Sequence, residues 1–171
     1  MCPGIFVCVP NGRVYIESVM SDFARLFAYD RWANDEVIRA LMRIAEPPQR
    51  AVKVMAHIIG TQYVWYARMT ATSNDVPVWP DWNVKQTASA VDAIAARWAE
   101  IVGRGQDFLG DEFSYANSKG EKWTSRNDDV LMHVIMHGAY HRGQIAAAIR
   151  ASGNPPPYTD YVQATRAGLL P

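Results

Sequence analysis

Cysteine is nearly missing from this chain. Its 171 residues include two, Cys2 and Cys8, both within the first ten positions and in no CxxC pair. That excludes a disulfide framework and a cysteine-based zinc module, and it points to a reducing compartment, the cytoplasm. An excess of either charge is missing as well. Lys plus Arg number 17 and Asp plus Glu number 17, so the formal net charge is zero. No basic stripe invites nucleic acid, and no polybasic cluster invites an anionic membrane. Long hydrophobic runs are absent too: Ile5–Val9 is too short for a membrane span and lacks the flanks of a signal peptide. Nor does the chain contain HExxH, GxSxG or a phosphate-binding glycine loop; "GRGQ" at 103–106 is read as a helix end. What remains is a globular composition, 49% hydrophobic and 20% charged, on a chain long enough to bury about 70% of its unfolded surface without a metal to hold it together.

Residues 1–19 stand apart. They carry Pro3, Gly4, Pro10 and Gly12 and have no helical period. Met20-Ser21-Asp22 offers a second start with Ser21 as helix N-cap, so 1–19 are expected to be an extension, either a misassigned start or a loose arm, and 20–171 a single domain. Helical periodicity then predicts helices over about 22–45, 49–72, 86–102 and 128–152. Pro47-Pro48 ends the first, and Gly153 followed by three prolines ends the last. Gly60 is a weak point in the second. Alternation in "DEFSYANSKGEKWTSR" predicts a small β-hairpin, and 125–128 resemble a capping box for the last helix. The expected fold is all-α, a four-helix bundle with a hairpin before the last helix.

Histidine is scarce as well, and three of the four lie in "HVIMHGAYHRGQ": His133, His137 and His141. At about 100° per residue they share one stripe bordering the apolar face of the last helix. Residues four apart on a helix suit two nitrogens converging on one metal. The fourth, His57, lies mid-way along the second helix. Either His133 with His137 or His137 with His141 satisfies the spacing, because the outer pair is about 12 Å apart along the axis. No carboxylate follows the first histidine of either pair, which weakens a peptidase mechanism.

Those residues carry a resemblance. "HVIMHGAYHRGQIAAAIRASGNPPPYTDYV" resembles the last helix and tail of the DinB/YfiT-like family of metal-dependent enzymes; "FAYDRWANDEVIRAL" and "MAHIIGTQYVWYARM" are similar to its first two helices. The likeness covers roughly residues 20–162. It implies a four-helix bundle, often a homodimer, with one divalent metal on His57, His137 and His141. His133 then matches a further upstream histidine that is not usually a ligand. It is expected to be a buried, hydrogen-bonded imidazole, with support of the ligands from behind as the alternative. Gln144 is placed beside the site as a candidate to orient a ligand, Arg142 points away into a structural or interface ion pair, and Asp160 is expected to pack the tail onto the bundle. Trp65, Tyr66, Trp79 and Trp82 are read as core and loop anchors, or more sharply as a flat substrate wall.

Zinc is the first choice of metal, with nickel and iron also suited to imidazole. The resemblance implies an enzyme acting on a small molecule, a thiol-dependent S-transferase or a hydrolase in detoxification or stress, with a low-molecular-weight thiol as a partner. The lack of a carboxylate base favours the thiol reading. The alternative is a non-catalytic, dimeric, stress-associated metal-binding protein; DNA binding has no support in the charge balance. A closed coordination shell would favour the structural role and an open one catalysis.

Overall fold

Four long helices make up most of the computed structural model, which describes residues 16–171. They are α1 (Ile16–Arg43), α2 (Gln49–Thr70), α3 (Val84–Val102) and α5 (Asn127–Ala151). Between α3 and α5 lie the short α4 (Gln106–Gly110) and a hairpin of β1 (Glu112–Ala116) and β2 (Lys122–Arg126); α6 (Tyr161–Arg166) ends the chain. Helices α1 and α3, α3 and α2, α2 and α5, and α5 and α1 pack in turn, closing a four-helix ring around one core. Phe27, Leu41, Met55, Ile58, Ile94, Trp98, Leu131 and Ile145 lie within it. No helix of the described residues is long and apolar enough to cross a membrane.

The all-α bundle with its hairpin is as the periodicity predicts, and the helix limits, the start of α1 excepted, fall within about two residues of it. The termini differ more. α1 begins at Ile16, so Ser21 lies inside the helix and is not its N-cap; the expectation for the extension otherwise concerns residues 1–15, outside those described. The capping box at 125–128 does not form. Strand β2 runs on to Arg126, which occupies the N-cap position of α5 without a side-chain cap, while Ser125 pairs with Phe113 in the hairpin. Asp128 instead accepts two hydrogen bonds from the Arg126 guanidinium, at 2.6 and 3.0 Å. A true capping box opens α3, where Asn83 and Gln86 each accept from the other's backbone N–H at 2.9 Å. Gly153, at φ +81°, turns the chain out of α5.

Trp32, one step out of register with the core stripe of α1, serves the tail. Ala164 of α6 is buried against Tyr29 and Ala33 with Trp32 alongside, and Tyr29 donates its hydroxyl to the Thr159 carbonyl at 2.8 Å. Asp160 contributes by capping: its carboxylate accepts from Val162 N at 3.0 Å and so starts α6.

Candidate metal centre

Helices α2 and α5 bring His57, His137 and His141 together. One nitrogen from each lies within 4.8 Å of the others, and the geometry could hold a metal ion. Ring centroids are 5.1 Å apart for His57 and His137, 4.8 Å for His57 and His141, and 4.4 Å for His137 and His141. His57 is buried, and the other two are partly buried at the edge of the bundle.

Each of the three has its Nδ1 beside an oxygen. His57 Nδ1 lies 2.9 Å from the Val78 carbonyl, which can only accept, so this nitrogen carries the proton. His141 Nδ1 is 3.3 Å from Gln144 Oε1. His137 Nδ1 is 3.5 Å from Thr61 Oγ1, a long contact; the Thr61 hydroxyl already donates back to the carbonyls of its own helix, leaving its oxygen to accept. The Val78 carbonyl assigns the Nδ1–H tautomer to His57, and the oxygens beside the other two Nδ1 atoms are compatible with the same tautomer, which leaves Nε2 lone pairs for a metal. The Nε2 atoms of His137 and His141 are 3.1 Å apart. Two nitrogens held about 2.0–2.1 Å from one tetrahedral zinc would be about 3.3 Å apart. Two acceptor nitrogens at this separation repel each other unless a cation lies between them, so the donor set fits a divalent metal. Burial lowers the pKa of His57, and burial with the neighbouring imidazoles lowers that of His137 to about 4, so both are neutral near pH 7, the form that can bind a metal.

The loop between α2 and α3 makes this possible. A Cβ on Gly60 would come within 2.7 Å of both the Pro77 carbonyl oxygen and Pro80 Cδ. The bare glycine lets the loop seat against α2, which brings Val78 to His57 and stacks Trp79 on its ring at 3.8 Å and 11°. Trp79 remains largely exposed; it covers His57 rather than anchoring the loop in the core, a task that falls to Val76 and Trp82. The glycine that reads as a weakness in α2 is thus the contact point of the loop.

Arg142 points away from the histidines into the centre of the bundle. Its Nη1 donates to Asp30 Oδ1 at 2.5 Å and to Asn34 Oδ1 at 2.8 Å. Asp30 Oδ2 accepts from Gln62 at 2.7 Å and from Asn34 at 3.0 Å, and Gln62 accepts from the Trp98 indole at 3.1 Å. All five residues are buried, and together they tie α1, α2, α3 and α5. A Cβ on Gly138 would strike Asp30 Oδ1 at 2.7 Å and Arg142 Nη1 at 3.0 Å. The position where HExxH enzymes carry their glutamate is here empty space kept for an ion pair.

His133 departs from expectation. It is exposed, and no side-chain hydrogen bond holds it among the described residues. It sits one turn outside the cluster, 5.5 Å from His137 and 5.4 Å from Trp65, because α2 offers it an indole edge at this level instead of a polar partner. Sequence reasoning missed Thr61, the Val78 carbonyl and the Asp30 network; the mid-helix glycine and the Asp30/Asn34 pair, four apart on the apolar stripe of the amphipathic α1, were the available signals.

The DinB family model matches residues 20–168. The chain is similar to "Protein DinB" of Bacillus subtilis (strain 168), with 24% identity over 160 residues, covering 83% of this chain and 93% of that protein. With the family model covering α1 from residue 20, the other three long helices whole and the three-histidine cluster, the chain belongs to the DinB family.

Proposed function

We propose that this protein is a divalent-metal-dependent enzyme acting on a small molecule, with His57, His137 and His141 as the ligands. The observation that carries the reading is the convergence of one nitrogen from each of the three rings within 4.8 Å, with an oxygen beside each Nδ1. Zinc is the first choice and nickel or iron the next. Among the described residues no carboxylate, cysteine or further histidine joins the group, which supports an open position and hence catalysis over a structural role. A divalent ion on three neutral imidazoles would supply Lewis acidity, favouring the deprotonated form of a thiol or water.

The protein's own part is positional. Val78, Thr61 and Gln144 hold the three rings, and Trp79 shields His57 from one side. Since no carboxylate stands by as a base, thiol-dependent S-transfer is preferred over hydrolysis. The setting is cytoplasmic, and detoxification or stress response is the physiological role that fits such chemistry. We place Gln144 as the residue orienting His141. The unit is a homodimer, a reading supported by the exposed apolar residues Met132, Met136 and Tyr140 on the outer face of α5.

The test is elemental analysis of the purified wild type and His137→Ala. The wild type should carry close to one equivalent of metal and the variant little. Equal content in both, or none in the wild type, would overturn the reading.

A further inference from the structure

Beyond the histidine cluster, a continuous track of rings runs along the seam of α2 and α5. His137 and His133 are 5.5 Å apart, His133 and Trp65 5.4 Å, and Trp65 and Tyr115 of β1 5.2 Å. It ends on a cation. The Arg68 guanidinium lies 4.8 Å from the Trp65 ring centroid and 5.1 Å from that of Tyr115.

Arg68 is unusual among the arginines here. It is partly buried, yet no carboxylate and no hydrogen-bond acceptor pairs with it among the described residues. Burial pulls its pKa down from the ordinary guanidinium value. Stacking uses the faces of the guanidinium and leaves its N–H edge free for a planar anion. Arg68 also lines a cavity of about 390 Å³ with Thr72, Asn74, Ser114 and Tyr115. A position in the last turn of α2 gives the charge some favourable dipole interaction, but that requires neither the two rings nor the cavity.

We propose that Arg68 is the anion-recognising end of the substrate site, so that the substrate is an elongated thiol bearing a carboxylate or phosphate far from its sulfur. The inference rests on the thiol reading above. Eleven residues of helix separate His57 from Arg68, about 16 Å along the axis. The sulfur end belongs at the histidine cluster, the middle of the molecule lies along His133 and Trp65, and the anion meets Arg68. This also gives His133 a place: it is part of the wall, not a support for the ligands.

The experiment uses the full-length protein loaded with cobalt(II) and three probe thiols: mercaptoundecanoate, its uncharged analogue mercaptoundecanol, and mercaptopropionate, too short to span the track. Binding is read from the cobalt–thiolate absorption and, independently of any metal, from tryptophan emission. A charge-assisted contact should make mercaptoundecanoate bind about tenfold or more tightly than mercaptoundecanol. Arg68→Gln should abolish that preference, Arg68→Lys should keep part of it, and mercaptopropionate should bind all three proteins alike. A preference that is absent from the wild type or survives Arg68→Gln overturns the proposal. A missing cobalt–thiolate band with every thiol would instead defeat the thiol reading; the emission titration of the two long probes then still decides whether Arg68 reads the anion.

Discussion

His137 is the most consequential single residue, because its ring touches every other member of the cluster. Burial and three neighbouring imidazoles lower its pKa from the usual 6.5 to about 4. Between these values the unfolded chain binds the proton that the folded chain refuses, so stability falls as pH falls through this window. The metal-free wild type should therefore lose thermal stability from pH 6.5 to 4, and metal-free His137→Ala should lose less; identical profiles would contradict the assignment. Arg142, one residue past His141, belongs to stability instead. Arg142→Met leaves the buried Asp30 carboxylate without its cation, and urea unfolding should show a loss of about 3–5 kcal/mol. Adding Asp30→Asn removes the second charge and should recover part of that loss. The direction of Arg142 was legible on the helical wheel, at about 180° from His133. Its partner was not, since nothing in the sequence pairs two residues 112 positions apart. Gly138 was legible only as a missing base; that it makes room for an ion pair is visible only once α1 is packed against α5.

At the scale of elements, the decisive unit is α2 with the loop that follows it. The periodicity showed α2 and its histidine. It could not show that a proline-broken loop folds back over them, because the contact depends on the shape of Gly60, Pro77 and Pro80 and not on any pattern of polarity. The same limit hid α4, whose five residues are too few to carry a period. The hairpin was legible because alternation survives in five-residue strands. Gly60→Ala separates the two roles of the glycine. Alanine is the better helix former by about 1 kcal/mol, so α2 itself should be strengthened. The new Cβ, though, meets a backbone oxygen and a proline ring at 2.7 Å, and the loop must lift. His57 then loses Val78 and Trp79, and metal affinity should fall about 10–100-fold in competition with a chromophoric chelator. Unchanged affinity would show that the loop does not orient His57.

The whole molecule has one face that a monomer leaves unexplained. From Val130 to Ile149 the only Lys, Arg, Asp or Glu in α5 is Arg142, and it points inward. The outward stripe is Met132, Met136, Ala139, Tyr140, Gly143 and Ala147, bracketed by the exposed Asp129 and Arg150. An antiparallel pairing of two copies centred between Ala139 and Tyr140 makes this stripe complementary to itself. In that pairing Met136 would face Gly143 of the second copy, Met132 would face Ala147, and Asp129 would meet Arg150. Large residues meet small ones and opposite charges meet at both ends, as an isologous interface requires. Gly143 is the critical position, since a Cβ added there meets nothing within 4 Å in the single chain. Gly143→Glu should therefore not destabilise the monomer and, on helix propensity, should stabilise it by up to about 1 kcal/mol. In the dimer the same side chain would occupy the space of a methionine. Light scattering after size exclusion should give the wild type a dimer mass and the variant a monomer mass, with equal or higher thermal stability when both are compared at concentrations too low for association. A variant that remains dimeric, or a wild type that is monomeric at tens of micromolar, would remove α5 as the assembly face.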